Sequence, residues 1–143
     1  MTSIRSKKIS NRASGNHFET VFAQKLAERG WWAHVMKQDA SGQPADVIAV
    51  FHGMAYLIDC KVCAESRFDL SRMEPNQLDA MEYWLNLGST TPLFALQDAR
   101  GHVWMLDYWW AKSLLDDGVK SVKCEEHGHR LWRMEDWLEW ICG

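Results

Sequence analysis

The stretch that most constrains this chain is residues 44–62, PADVIAVFHGMAYLIDCKV. Asp46 opens a run of strand formers, and His52-Gly53 has the chemistry of a two-residue turn before a second apolar run that reaches Lys61. A hairpin with that turn puts Phe51 opposite Met54 and Asp46 opposite Asp59, with Lys61 on the same face as Asp59. Two opposed carboxylates on an otherwise apolar hairpin repel and are expensive to bury. A bound cation removes the problem. Paired oxygen donors with few nitrogen or sulfur partners suit a hard ion, Mg²⁺ or Mn²⁺. Asp46 and Asp59 would be its ligands, joined by the backbone carbonyl of Cys60, and Lys61 would face the activated water or a phosphate. A buried Asp–Lys pair kept for structure alone would account for Lys61 but leave the opposed carboxylates unexplained.

A chain of 143 residues, 47% hydrophobic and with nine tryptophans, has the length and the apolar content of one globular domain. Residues 14–143 are expected to form it. The first 12 residues hold four of the 16 bases, Arg5, Lys7, Lys8 and Arg12, and no acid, so 12 bases face 19 acids in the rest. A flexible basic arm over residues 1–13 thus precedes an acidic body, and such an arm can neutralise phosphates. No apolar run approaches the roughly 20 residues that cross a bilayer, and the N-terminus has no signal-peptide core. A cytoplasmic protein with no membrane partner is expected, its four cysteines reduced.

Along the chain, Phe18, Phe22 and Leu26 form one apolar stripe of a first helix that Gly30 ends, with Glu19 at the edge of that stripe. Alone, Glu19 reads as a carboxylate at a helix N-terminus. Residues 31–36 predict a first strand, and residues 62–72 a loop. Glu74-Pro75 opens a second helix with Leu78, Met81 and Leu85 at helical spacing, Gly88 as its stop and Gln77 early in it. Two strands follow over 91–96 and 102–106, then a short helix over 108–115, a small strand over 119–124, and a terminal amphipathic helix carrying Leu131, Met134, Leu138 and Ile141. The order predicts an α/β fold around a mixed sheet of four or five strands flanked by helices.

Glu19, Asp46 and Asp59-x-Lys61, with Pro44-Ala45-Asp46 as the "PD" element, resemble the PD-(D/E)xK nuclease superfamily. Within it the chain looks most like RecU-type Holliday junction resolvases. Gly15-Asn16-His17-Phe18-Glu19 is similar to their first helix, and Ser66-Arg67-Phe68-Asp69-Leu70 followed by Gln77 to their loop and glutamine-bearing helix. The resemblance covers residues 15–108. It implies a restriction-endonuclease-like core and a Mg²⁺-dependent endonuclease that resolves four-way DNA junctions as a homodimer, because a junction presents two equivalent strands. Related readings are a nuclease acting on duplex or flap DNA, or a DNA-binding module without catalysis. The resemblance makes Glu19, Asp46, Asp59, Lys61 and Gln77 catalytic: Glu19 assists a second metal or bridging water, Lys61 orients the nucleophile or stabilises charge, and Gln77 positions water or phosphate. Arg5, Lys7, Lys8, Arg12 and Lys37 would hold DNA. Asp59 stands where the family has glutamate, and residues 38–43 are too few for the RecU stalk.

Two further patterns carry less. Cys60-x-x-Cys63 with Cys124-x-x-His127 has zinc spacing, but Cys60 lies on the hairpin face opposite Asp59, where a core thiol is the ordinary outcome. The tryptophans could stack on unpaired bases, yet core or dimer-interface roles account for most of them.

Overall fold

The computed structural model describes residues 17–37, 45–125 and 130–142. His52 and Gly53 both take left-handed backbone angles, with φ of 49° and 77°, and turn the chain between β2 (Val47–Phe51) and β3 (Met54–Val62). Phe51 pairs with Met54 and Val47 with Ile58. Beyond that pair the Asp46 N–H donates to the Ile58 carbonyl at 3.1 Å, and the Asp46 carbonyl accepts from Met36 N–H at 2.7 Å. The register carried one residue on sets Asp46 across from Asp59, as the turn chemistry predicts. On the outer side of β2, β1 (Trp32–Val35) pairs antiparallel.

The first helix, α1, spans residues 17–28. After β3 the chain makes β4 (Arg67–Asp69), a single 3₁₀ turn (Leu70–Arg72) and α2 (Pro75–Asn86), and returns as β5 (Leu93–Gln97) parallel to β3. A parallel neighbour requires a crossover of this kind. β6 (Val103–Asp107), α3 (Tyr108–Asp116), β7 (Ser121–Lys123), β8 (Trp132–Arg133) and α4 (Met134–Cys142) complete the order. The main sheet runs β1-β2-β3-β5-β6-β8, antiparallel except at β3–β5. The fold is therefore the expected mixed sheet flanked by helices.

Two expectations need correction. The main sheet has six strands rather than four or five, and residues 62–72 are not a loop: β3 runs to Val62, and β4 pairs with β7 in a second, two-stranded sheet. Strands of two or three residues are too short to show alternation. They form because of what they face. Phe68 and Val122 are opposed and fully buried, and Trp132 pairs with Met105.

The pleat divides the interior in two. Val47, Ala49, Ile58, Ala95 and Met105 meet Phe18, Phe22 and Leu26 of α1 and Met134, Trp137 and Leu138 of α4. Leu57, Phe94, Leu96 and Leu106 face the other way, onto Met81 of α2 and Ala111 and Leu114 of α3. Phe22 and Leu26 are fully buried, each contributing about 1.5–3 kcal/mol, so the α1 stripe anchors that helix. Asp59 and Lys61, in step with Leu57 along β3, turn toward the α2 side.

Candidate active site

Asp59 is wholly buried beside Lys61, whose side chain is 15% exposed. Gln77 Nε2 donates to Asp59 Oδ1 at 2.9 Å. The Lys61 ammonium lies 3.2 Å from Asp59 Oδ2 but out of line for a hydrogen bond, so this buried oxygen has a charge near it and no donor aimed at it. Pro75 starts α2 at the level of the carboxylate, and three positions beyond Glu74 the Gln77 side chain reaches back, its Oε1 accepting from Glu74 N–H at 3.3 Å. The same Oε1 accepts from Lys61 Nζ at 3.5 Å.

Asp46 Oδ2 accepts the Cys60 N–H at 2.7 Å, which ties the first carboxylate to the strand carrying the second. Asp46 also lies close enough to the carboxyl groups of Glu19 and Asp59 to raise both by repulsion. α1 thus delivers Glu19 from the opposite side of the sheet to the same cluster. Burial, then the Asp46 charge and hydrogen bond, push the Glu19 carboxyl up to about 7, although the Lys61 charge opposes them. Burial and the Asp46 charge push Asp59 up to about 8, and the adjacent Lys61 only partly offsets this. Both move upward because three carboxylates share one ammonium.

These donors fit a divalent cation. The orphaned Asp59 Oδ2 would gain a partner, and two protons held against repulsion would be released. The structure brings together all five residues that the sequence reading marks as catalytic. Of the proposed DNA contacts, Lys37 is exposed and follows Met36, which bonds to the Asp46 backbone. Arg5, Lys7, Lys8 and Arg12 lie outside the described residues, as do residues 38–43.

Sequence reasoning missed two supporting residues. Glu74 anchors the Gln77 side chain, and the Glu-x-x-Gln spacing was its visible sign. Arg72 donates to the Val62 carbonyl at 2.9 Å and sits 5.9 Å from the Phe68 ring, pinning the approach to α2 onto the end of β3. No periodicity announces it.

The zinc pattern does not assemble among the described residues. Cys60 packs with the α1 side, while Cys63 and Cys124 are buried on the α2 side. Asp98, His102 and Glu125 do bring one ligand atom each within 4.8 Å of one another, at the β5–β6 turn. There Asp98 already accepts from Arg100 N–H, His102 N–H and Trp104 Nε1 at 2.9, 2.9 and 3.0 Å. Burial raises its pKa, but those hydrogen bonds, led by Trp104, outweigh it and hold the carboxyl below its ordinary value. Arg100 supplies the cation, 3.4 Å from Glu125.

Residues 10–123 match the family model described as archaeal Holliday junction resolvase (hjc). No curated protein matches the sequence. Among solved structures, Hjc from Archaeoglobus fulgidus, a Holliday junction resolvase from an archaeal hyperthermophile, is similar in fold. The TM-score is 0.56 at 16% identity, over 67% of this chain and 78% of that one. The superfamily is the one the Glu19, Asp46 and Asp59-x-Lys61 pattern resembles; a RecU-type assignment within it is not specified by the match. With most of its length so matched, the chain belongs to the archaeal Holliday junction resolvase family, whose members are metal-dependent endonucleases.

Proposed function

We propose that this junction-resolving nuclease works with Mg²⁺ held by Asp46, Asp59 and the Cys60 carbonyl, and that it acts as a homodimer. The observation that carries the metal reading is the buried, donorless Asp59 Oδ2 in a cluster of three carboxylates with one ammonium. The ion, when bound, supplies a water of lowered pKa and a positive charge against the phosphoryl oxygens. Mn²⁺ has the same preference for oxygen and would substitute.

Lys61 presents its ammonium at the mouth of the site, where it stabilises charge developing on the phosphate. Gln77 holds Asp59 Oδ1 and so fixes the direction of the remaining oxygen. This differs from the expected water-positioning role, because both ends of its amide are already engaged. Glu19 stores a proton near neutral pH and gives it up when positive charge enters the cluster, which suits a helper at a bridging water. Lys37 and the basic arm of residues 1–13 grip phosphates beside a single nuclease domain over residues 14–143. A twofold dimer would match the two equivalent strands of a junction. No described helix is long and apolar enough to cross a membrane, and the proposed site of action is the cytoplasm.

The test compares a synthetic four-way junction with linear duplex of the same sequence in Mg²⁺. Paired cuts at the junction alone support the reading; equal cutting of the duplex would favour a nuclease without shape selection.

A further inference from the structure

α4 uses its tryptophans in two ways. Trp137 enters the core, its ring 5.6 Å from Trp31 and 5.9 Å from Tyr56. Trp140 stands out, 69% exposed, 5.8 Å from the ring of Trp132. With Trp110, Met54 and Ile141 these rings line an open cleft of about 420 Å³. Its floor is packed. Its rim is apolar and in water.

Met54, Trp110, Trp132 and Trp140 are between 38% and 69% exposed. At roughly 200 Å² for each such side chain, they leave about 400 Å² of apolar surface in solvent. That is half of the roughly 800 Å² that one partner contributes to a standard interface, before flanking residues are counted.

We propose that this cleft is the interface between two copies of the chain, each seating the exposed Trp140 of the other. The inference rests on the dimer reading given above. A contact about a twofold axis must be self-complementary, and a cleft beside a projecting ring supplies both halves. The surrounding charge agrees. Arg130, 5.3 Å over the Trp110 ring, puts a positive charge at the rim and Asp107 a carboxylate in the lining, so two copies can match opposite signs. Asp107 in the cleft lining, with the exposed acids Asp136 and Glu139 on α4, repels a phosphate backbone. Tyr56, Met105 and Trp137 place the cleft on the α1–α4 side at the start of β3. Asp59 and Lys61 lie in its other half and turn toward α2, so docking covers neither.

Sedimentation equilibrium of the full chain tests this, with folding checked by circular dichroism and junction affinity measured alongside. The variants are Trp140→Ala and Met54→Lys, both at mostly exposed positions, and Leu87→Ala, 70% exposed at the C-terminal cap of α2. The wild type should be a dimer, each cleft variant should self-associate roughly a hundredfold more weakly while staying folded, and Leu87→Ala should match the wild type. A dimer that survives both cleft substitutions, or dissociates with Leu87→Ala, overturns the proposed interface and leaves the dimer reading standing. Intact dimers of Trp140→Ala that lose junction affinity would assign the cleft to DNA and overturn the proposal. A wild type that is monomeric both free and on a junction would overturn the dimer reading itself.

Discussion

Gln77 and Asp59 are joined by a 2.9 Å hydrogen bond between a helix N-terminus and the middle of the sheet. The other end of the same amide takes the Glu74 N–H and faces Lys61, so one side chain sets the orientation of acid and base together. Replacing Gln77 with Ala should weaken the apparent Mg²⁺ affinity roughly 10- to 100-fold, the usual effect of removing a group that orients a metal ligand. Cleavage rates across a Mg²⁺ titration measure it, and saturating Mg²⁺ should restore much of the rate.

The raised carboxyls make stability depend on pH in a definite direction. Glu19 at about 7 and Asp59 at about 8 are above ordinary carboxylate values, so the folded state binds more protons than the unfolded one. Their contribution is full below about pH 4, where both states are protonated, and is lost as pH rises through 7 to 8. In chelator the melting temperature should therefore fall across that interval, and excess Mg²⁺ should flatten the fall. Titration calorimetry in two buffers of different ionisation enthalpy should show protons released on Mg²⁺ binding near pH 7.

The hairpin was legible because a two-residue turn leaves one register, and His52-Gly53 marks it; Asp46, Asp59 and Lys61 follow by counting. Glu19 was not legible in the same way. Its stripe placed it beside a buried face, but its position next to Asp46 depends on how α1 crosses the sheet, and only the resemblance pointed there. β4 and β8 escaped because pairs such as Phe68 with Val122 are made by residues 54 apart, beyond any local period. Gln77 was legible as a residue early in its helix, but its partners were not, since they come from β3 and from the residue before the helix.

Asp98 should behave as a structural residue. It is 4% exposed and satisfies two backbone N–H groups and the Trp104 indole at the β5–β6 turn. Asp98→Ala leaves those donors unpaired and should cost about 2–4 kcal/mol in denaturant unfolding, with the Mg²⁺ dependence of cleavage unchanged.

Phosphate grip should be read from salt. Removing residues 1–12 deletes four bases, and the slope of log affinity against log salt for a junction should become shallower by up to about 4, or by about 1 for Lys37→Ala. Affinity at low salt should drop while the cutting positions stay the same.

Asp59, as the proposed metal ligand, should be needed for chemistry rather than for DNA binding. Asp59→Asn keeps the shape of the side chain and removes its charge, so the variant should bind a synthetic four-way junction within about threefold of the wild type while cleavage in Mg²⁺ falls by roughly a thousandfold or more. Cleavage at the wild-type rate by the folded Asp59→Asn variant would contradict a metal-holding role for Asp59.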